Sequence, residues 1–183
     1  MEDFKLEKID AYQIDDEYFI YTLGCGKFTN ISYDKNFYFT KKYLKKFYYY
    51  FKLFKDLFKK HQYNLQIISN NIIYEEEVFM FLFLAINNVA GFRVRGLDNK
   101  INDGKITLYL LKYHKFLPVL SLLFFYIFKW KNKYFYTIIE GREFNISCNN
   151  LLNLNLDGEG PILKKEFVLK VIPNAINLYV IKN

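Results

Sequence analysis

Apolar and polar residues alternate along much of the 183-residue chain, which predicts a protein built mainly from β-strands. Two alternating runs between residues 5 and 28 are separated by the acidic turn Asp15-Asp16-Glu17 and indicate a hairpin. Further strands are predicted at 65–68, 72–74, 78–86, 105–112, 134–139, 143–148, 151–156, 164–172 and 176–181. We therefore expect an α+β, mainly β fold, with a two-sheet antiparallel β-sandwich as its body.

Two segments have the spacing of helices instead. In 41–60, apolar residues recur at helical intervals and lysines occupy the opposite side, the apolar set being Leu44, Phe47, Phe51, Phe54 and Phe58. The segment 117–130 belongs to the most apolar stretch, and Pro118 suits its first turn. It is shorter than the roughly 20 residues that a bilayer crossing needs. We expect two helical insertions, at about 41–60 and 117–130, within a single domain that spans 1–183.

Composition limits the class of protein further. Hydrophobic residues make up 52% of the chain and aromatic residues 21%, which permits a sizeable core and argues against disorder. The two cysteines, Cys25 and Cys148, are too few for a zinc cluster or a disulfide framework and suit a reducing compartment. The first five residues are acidic at 2 and 3 and lack the apolar core of a signal peptide, so a cytoplasmic protein is expected.

Positive charge is concentrated in one place. The net charge is +7, and 41–60 contains eight lysines against the single acid Asp56, while the remaining residues balance. Three interpretations stay open: a helix on a sheet with solvated lysines, which is favoured; a helix at the inner, anionic face of a membrane; or a phosphate-binding surface. The membrane interpretation would use Lys41, Lys42, Lys45 and Lys46. No nucleic-acid-binding motif accompanies the lysines, so nucleic acid is not an expected partner.

Two acidic triplets are the candidate chemistry. Asp157-Gly158-Glu159 follows the alternating run 152–156, which places two carboxylates at the end of a predicted strand. One such acid can orient a cation or a donor network while the other takes a proton from a hydroxyl. Asn102-Asp103-Gly104 precedes the strand predicted at 105–112. Each triplet alone is also typical of a turn with solvated acids.

The order of these motifs carries more information than any one of them. Over nearly its whole length the chain resembles the C-terminal domain of the bacterial diacylglycerol kinase family, which includes sphingosine-type lipid kinases and is distantly similar to NAD kinases. The resemblance rests on the following residues in this order: Gly91-Phe92, Asn102-Asp103-Gly104, Leu156-Asp157-Gly158-Glu159, Pro173 and Ala175.

The resemblance implies a β-sandwich that packs against an N-terminal nucleotide-binding domain and phosphorylates a hydroxyl of a diacylglycerol-like lipid with Mg²⁺ and ATP. It implies that Glu159 is the general base and that Asp157 helps to organise the magnesium and phosphate region. It also implies a structural Mg²⁺ bound by the Asp103 carboxylate and by main-chain oxygens of Lys100 and Lys105.

The chain departs from the family where the nucleotide would bind. It has no Gly-Gly-Asp-Gly-Thr phosphate loop, and the glycines at 24 and 26 lack P-loop spacing. We therefore expect a truncated piece, a split-gene product or a diverged remnant that is inactive, or nearly so, without a nucleotide-binding domain. The alternative is a non-catalytic β-sandwich that binds a lipid, a membrane or a protein partner. Sheet edges left by a missing domain favour self-association, so a homo-oligomer is expected.

Overall fold

The structure is a computed structural model that describes residues 4–26, 29, 51, 55, 61–89, 92–93, 99–114 and 134–181. The predicted insertion at 117–130 lies outside these residues. Of the predicted helix at 41–60 only Phe51 and Lys55 are described, and both are helical, with the Lys55 Nζ 4.7 Å from the centre of the Phe51 ring. No helix in the described ranges is long and apolar enough to cross a membrane.

Strands make up most of the described chain. They are β1 (Phe4–Ile14), β2 (Glu17–Phe19), β3 (Thr22–Gly26), β4 (Tyr63–Ser69), β5 (Ile72–Leu84), β6 (Asn88–Val89), β7 (Phe92–Arg93), β8 (Ile106–Lys112), β9 (Tyr136–Gly141), β10 (Glu143–Leu156) and β11 (Glu159–Ile181). The predicted mainly β class is confirmed.

All of these strands except β6 and β7 belong to one antiparallel sheet, in the order β2-β1-β11-β10-β3-β5-β8-β9. β3 pairs with the second half of β10 and the second half of β5, and β4 pairs with the first halves of the same two strands. β3 and β4 therefore lie end to end between β10 and β5. The segment that contains the lysine-rich stretch joins the end of β3 to the start of β4.

The sheet curls around one main core. Fully buried side chains from distant strands meet there, and the rings of Phe83 on β5 and Phe144 on β10 lie edge to face with centroids 5.0 Å apart. The hydrogen bonds do not divide the described strands into the two separate sheets that we expected. The reason is the length of β10 and β11, 14 and 23 residues, which lets the same strands continue from one side of the core to the other.

Two of the predicted turns are wrong. Asn149-Asn150 lies inside β10 and Pro173-Asn174 lies inside β11, where shifts of register mark β-bulges. A bulge accommodates extra residues on one strand while the strand continues, so a turn-type sequence does not have to end the strand. At Asn174 the backbone takes φ of 55°, which Asn tolerates better than most residues.

A second, smaller cluster lies on the other face of β5 and β8. It contains buried side chains of Phe79, Leu82, Leu84, Tyr109 and Leu111. The second half of β5 is thus buried on both faces, as the unbroken apolar run at 78–86 predicts.

Candidate functional site

A cleft of about 680 Å³ lies beside the turn between β10 and β11. Three carboxylate residues contribute to its lining, namely Glu17, Asp157 and Glu159. The rest of the lining is largely apolar and includes Ala11, Phe19, Leu156, Ile172, Ala175 and Ile176. The two acids predicted from the Asp-Gly-Glu triplet therefore line one cleft, beside residues from β1, β2 and the far part of β11.

Asp157 fastens two turns together. Its Oδ2 accepts the backbone N–H of Ile20 at 2.6 Å, and its Oδ1 accepts those of Tyr21 at 2.9 Å and Thr22 at 2.7 Å. The backbone N–H of Asp157 donates in return to the carbonyl of Thr22 at 2.8 Å. Because hydrogen bonds to a charged acceptor are stronger than neutral ones, this carboxylate is well suited to fixing the β10–β11 turn against the β2–β3 connection.

Glu159 is placed differently, although only Gly158 separates it from Asp157. It is the first residue of β11, it pairs with Leu156 across the turn, and its side chain is exposed. Within the described part of the chain its carboxylate has no hydrogen-bond or ion-pair partner. Gly158, with φ of 90°, forms the left-handed corner that brings the two acids close in space. Glu159 is therefore the acid that can meet a ligand in the cleft.

The three residues predicted to hold a metal share a second turn, before β8. The Asp103 Oδ1 accepts the N–H of Lys105 at 3.2 Å, and its Oδ2 accepts that of Lys100 at 3.3 Å. Both are long hydrogen bonds, so they leave much of the acceptor capacity of the carboxylate available. The Lys105 ammonium contacts Glu140. Asp103 is not among the residues that line the cleft.

A buried acid that sequence analysis missed lies behind this turn. Asp10 is fully buried, and its carboxylate accepts the N–H of Gly104 at 2.7 Å and of Asn174 at 2.8 Å. One signal was present in the sequence: Asp10 is in phase with Tyr12 and Ile14, which are both fully buried. An acid at such a position has to find donors inside the protein.

Asp10 and Asp103 bring two carboxylates close to the side chain of Tyr12. Burial raises the pKa of Tyr12 above its ordinary value, and the negative charges of Asp10 and Asp103 raise it further, so both acids lie near the same phenol. A hard divalent cation prefers carboxylate and carbonyl oxygens, which this turn offers, so the residues present fit Mg²⁺. The described ranges contain no group of three or more His, Cys, Asp or Glu side chains that could hold a metal ion. Main-chain oxygens would therefore have to complete such a site.

The remaining predicted surface residues, Lys41, Lys42, Lys45 and Lys46, lie outside the described residues. Gly91 also lies outside them, and its neighbour Phe92 begins β7.

The chain is similar to diacylglycerol kinases over most of its own length. The chain is 30% identical over 164 residues to the diacylglycerol kinase of Bacillus subtilis strain 168, and 29% identical over 157 residues to that of Staphylococcus haemolyticus. These matches cover 87% and 83% of this chain but 53% and 46% of the relatives. The chain thus spans about half the length of the curated relatives it matches. No model of a known protein family matches it.

The fold is also similar to part of a solved structure. The crystal structure of a diacylglycerol kinase from Bacillus anthracis strain Sterne superposes with a TM-score of 0.65 at 12% sequence identity. The superposition covers 94% of this chain and 53% of that one. The homologues and the structural neighbours of the chain are therefore diacylglycerol kinases, and the mainly β fold described above is one that a diacylglycerol kinase contains.

Proposed function

We propose that this chain is the lipid-acceptor domain of a diacylglycerol kinase-like enzyme and corresponds to the C-terminal domain of its relatives. The observation that carries the proposal is the position of Glu159, whose carboxylate has no partner among the described residues and lines a largely apolar cleft. A lipid with a free hydroxyl needs both features, apolar walls for its acyl part and a proton acceptor for the hydroxyl. Glu159 is the general base in this proposal.

Asp157 positions this base. Its three backbone hydrogen bonds hold the turn from which Glu159 projects, so the base meets the lipid hydroxyl at a fixed place. Proton removal by a positioned group contributes a factor of about 10²–10⁴ to the rate. We keep the expectation that Asp157 also helps to organise the magnesium and phosphate region as part of the proposal.

The proposed cofactor is Mg²⁺, both with ATP and at the Asp103 turn. Asp103 would supply a carboxylate oxygen there, and Lys100 and Lys105, whose N–H groups donate to that carboxylate, would supply main-chain oxygens. When bound with the nucleotide, the ion offsets the negative charge that develops on the transferred phosphoryl group. The residues of this chain orient the acceptor and take its proton.

A separate nucleotide-binding domain is the proposed partner, because the relatives contain about as much chain again as the part matched here. The outer ends of β1 and β11 form a two-stranded ribbon that offers an apolar surface for it, with Phe4 54%, Leu6 49% and Tyr179 73% exposed. A second copy of this chain is the alternative occupant, which would give a homo-oligomer. A cytoplasmic enzyme that works at the inner face of a membrane completes the proposal.

The test is magnesium-dependent transfer of labelled phosphate from ATP to diacylglycerol in mixed micelles. It is run with this chain alone and with the nucleotide-binding domain of a relative added. We expect transfer only with the added domain. If a protein shown to be folded gives no phosphate transfer either alone or with the added domain, the proposal is contradicted.

A non-catalytic lipid-binding or partner-binding module is the second candidate. Exposed aromatic and apolar residues near the cleft favour it, with Tyr18 60% and Leu163 57% exposed. Vesicles of anionic lipid at low salt provide the test, with charge reversal at Lys41, Lys42, Lys45 and Lys46. Loss of vesicle binding on charge reversal supports a membrane-binding surface. If the unaltered chain does not bind the vesicles, this membrane-binding role is excluded.

A further inference from the structure

Asp10 joins two parts of the backbone that serve different purposes in the proposed enzyme. Its Oδ2 accepts the N–H of Gly104 at 2.7 Å, and its Oδ1 accepts the N–H of Asn174 at 2.8 Å. The backbone N–H of Asp10 donates to the carbonyl of Ile101 at 2.9 Å. One buried residue on β1 therefore holds both the turn that contains Asp103 and the bulge in β11.

Both of these N–H groups depend on the carboxylate. Gly104 and Asn174 have φ of 69° and 55°, and they lie in a turn and a bulge, where the regular pairing of the sheet is interrupted. Both hydrogen bonds are partly buried, and their acceptor, the Asp10 carboxylate, is fully buried. An N–H that is partly withdrawn from water and loses its partner costs free energy. A carboxylate can accept from both sides, whereas the amide of an Asn at position 10 has a single acceptor oxygen.

The bulge forms part of the cleft wall. Ala175 and Ile176 follow Asn174 directly and line the cleft, as does Ala11 on β1 next to Asp10. At the other end of the link, Asp103 precedes Gly104 in the turn. The Asp103 turn and the bulge are thus joined by two short hydrogen bonds to one carboxylate.

We propose that Asp10 is a positioning residue that couples divalent cation binding at the Asp103 turn to the order of the cleft wall at Ala175 and Ile176. A cation held by Asp103 restrains the turn, the Gly104 hydrogen bond restrains the Asp10 carboxylate, and the carboxylate restrains Asn174. The assignment of the cleft as a lipid site rests on the proposed function. The coupling between the Asp103 turn and Asn174 does not require phosphoryl transfer.

The test is a titration of the ¹⁵N-labelled chain with MgCl₂, followed through the backbone amide signals of Gly104 and Asn174. In the unaltered chain we expect both signals to shift with the same apparent Kd. In Asp10→Asn the signal of Gly104 should still shift while the response of Asn174 is lost. The matched control is Glu166→Gln, which removes one negative charge from an exposed position on β11 and should leave both responses intact.

Three results would overturn the coupling: no response at Gly104, a response at Gly104 without one at Asn174 in the unaltered chain, or a response at Asn174 that survives in Asp10→Asn. If that variant does not fold, Asp103→Asn decides instead. It should abolish both responses, and a surviving shift at Asn174 would place the cation elsewhere and overturn the proposal. An inactive transfer assay leaves these shifts unchanged, so failure of the proposed function is distinguishable from failure of the coupling.

Discussion

The Oδ2 atom of Asp157 accepts the backbone N–H of Ile20 at 2.6 Å, across 137 positions of sequence. This contact, with two more to Tyr21 and Thr22, gives the two acids of one Asp-Gly-Glu turn different tasks. Asp157 holds the turn, and Glu159 is exposed at the cleft, where we propose that it acts as the base.

Replacing the base should remove activity without removing the fold. In a reconstituted two-domain enzyme, Glu159→Gln should lower turnover by a factor on the order of 10²–10⁴ because the lipid hydroxyl loses its proton acceptor. The free energy of unfolding should change by less than about 0.5 kcal/mol, since the side chain is exposed. Steady-state kinetics and urea denaturation measure the two effects. Glu166→Gln is the control, and unaltered turnover in Glu159→Gln would show that the base lies elsewhere.

Replacing Asp157 should lower the stability of the fold. Asp157→Asn weakens the hydrogen bonds to three backbone N–H groups, so we expect the free energy of unfolding to fall by about 1–2 kcal/mol. Urea denaturation of the chain alone measures this. Asp16→Asn is the control because it removes an exposed acid from a nearby hairpin turn. Equal stability of the two variants would contradict the fastening role of Asp157.

Gly26 should tolerate no side chain. Its φ is 105°, and a Cβ atom there would lie 2.4 Å from the carbonyl oxygen of Phe79 and 2.8 Å from the Cα of Met80. Since these contacts are backbone atoms, Gly26→Ala should destabilise the chain by more than about 2 kcal/mol. Gly160→Ala is the matched control, because nothing lies within 4 Å of its added Cβ. Thermal unfolding of the two variants compares them, and equal midpoints would contradict the prediction.

Cys25 should make stability depend on alkaline pH. Burial raises the pKa of its thiol from 9.0 to about 12. A raised pKa in the folded state means that the contribution of Cys25 is complete below about pH 9 and is lost as the pH rises toward 12. The free energy of unfolding should therefore fall less steeply over this range in Cys25→Ala than in the unaltered chain. Denaturation at several pH values measures both slopes, and identical slopes would rule out a role for this thiol.

Several strands were predictable because their signals are local. Alternation located the first hairpin, and the unbroken apolar run at 78–86 identified a strand buried on both faces. The same local rules failed at Asn149-Asn150 and Pro173-Asn174. Turn-forming residues also suit bulges, and only the neighbouring strand decides between the two.

The sequence by itself determined the mainly β class, the acidic turn with Asp157 and Glu159, and the turn with Asp103, since each depends on residues adjacent in the chain. Tertiary structure alone decided which acid is held and which is available, and it alone showed which N–H groups the Asp10 carboxylate meets. The partners of Asp10 lie 94 and 164 positions away along the sequence. A buried carboxylate is stable only where such donors converge, and their convergence depends on the curl of the whole sheet.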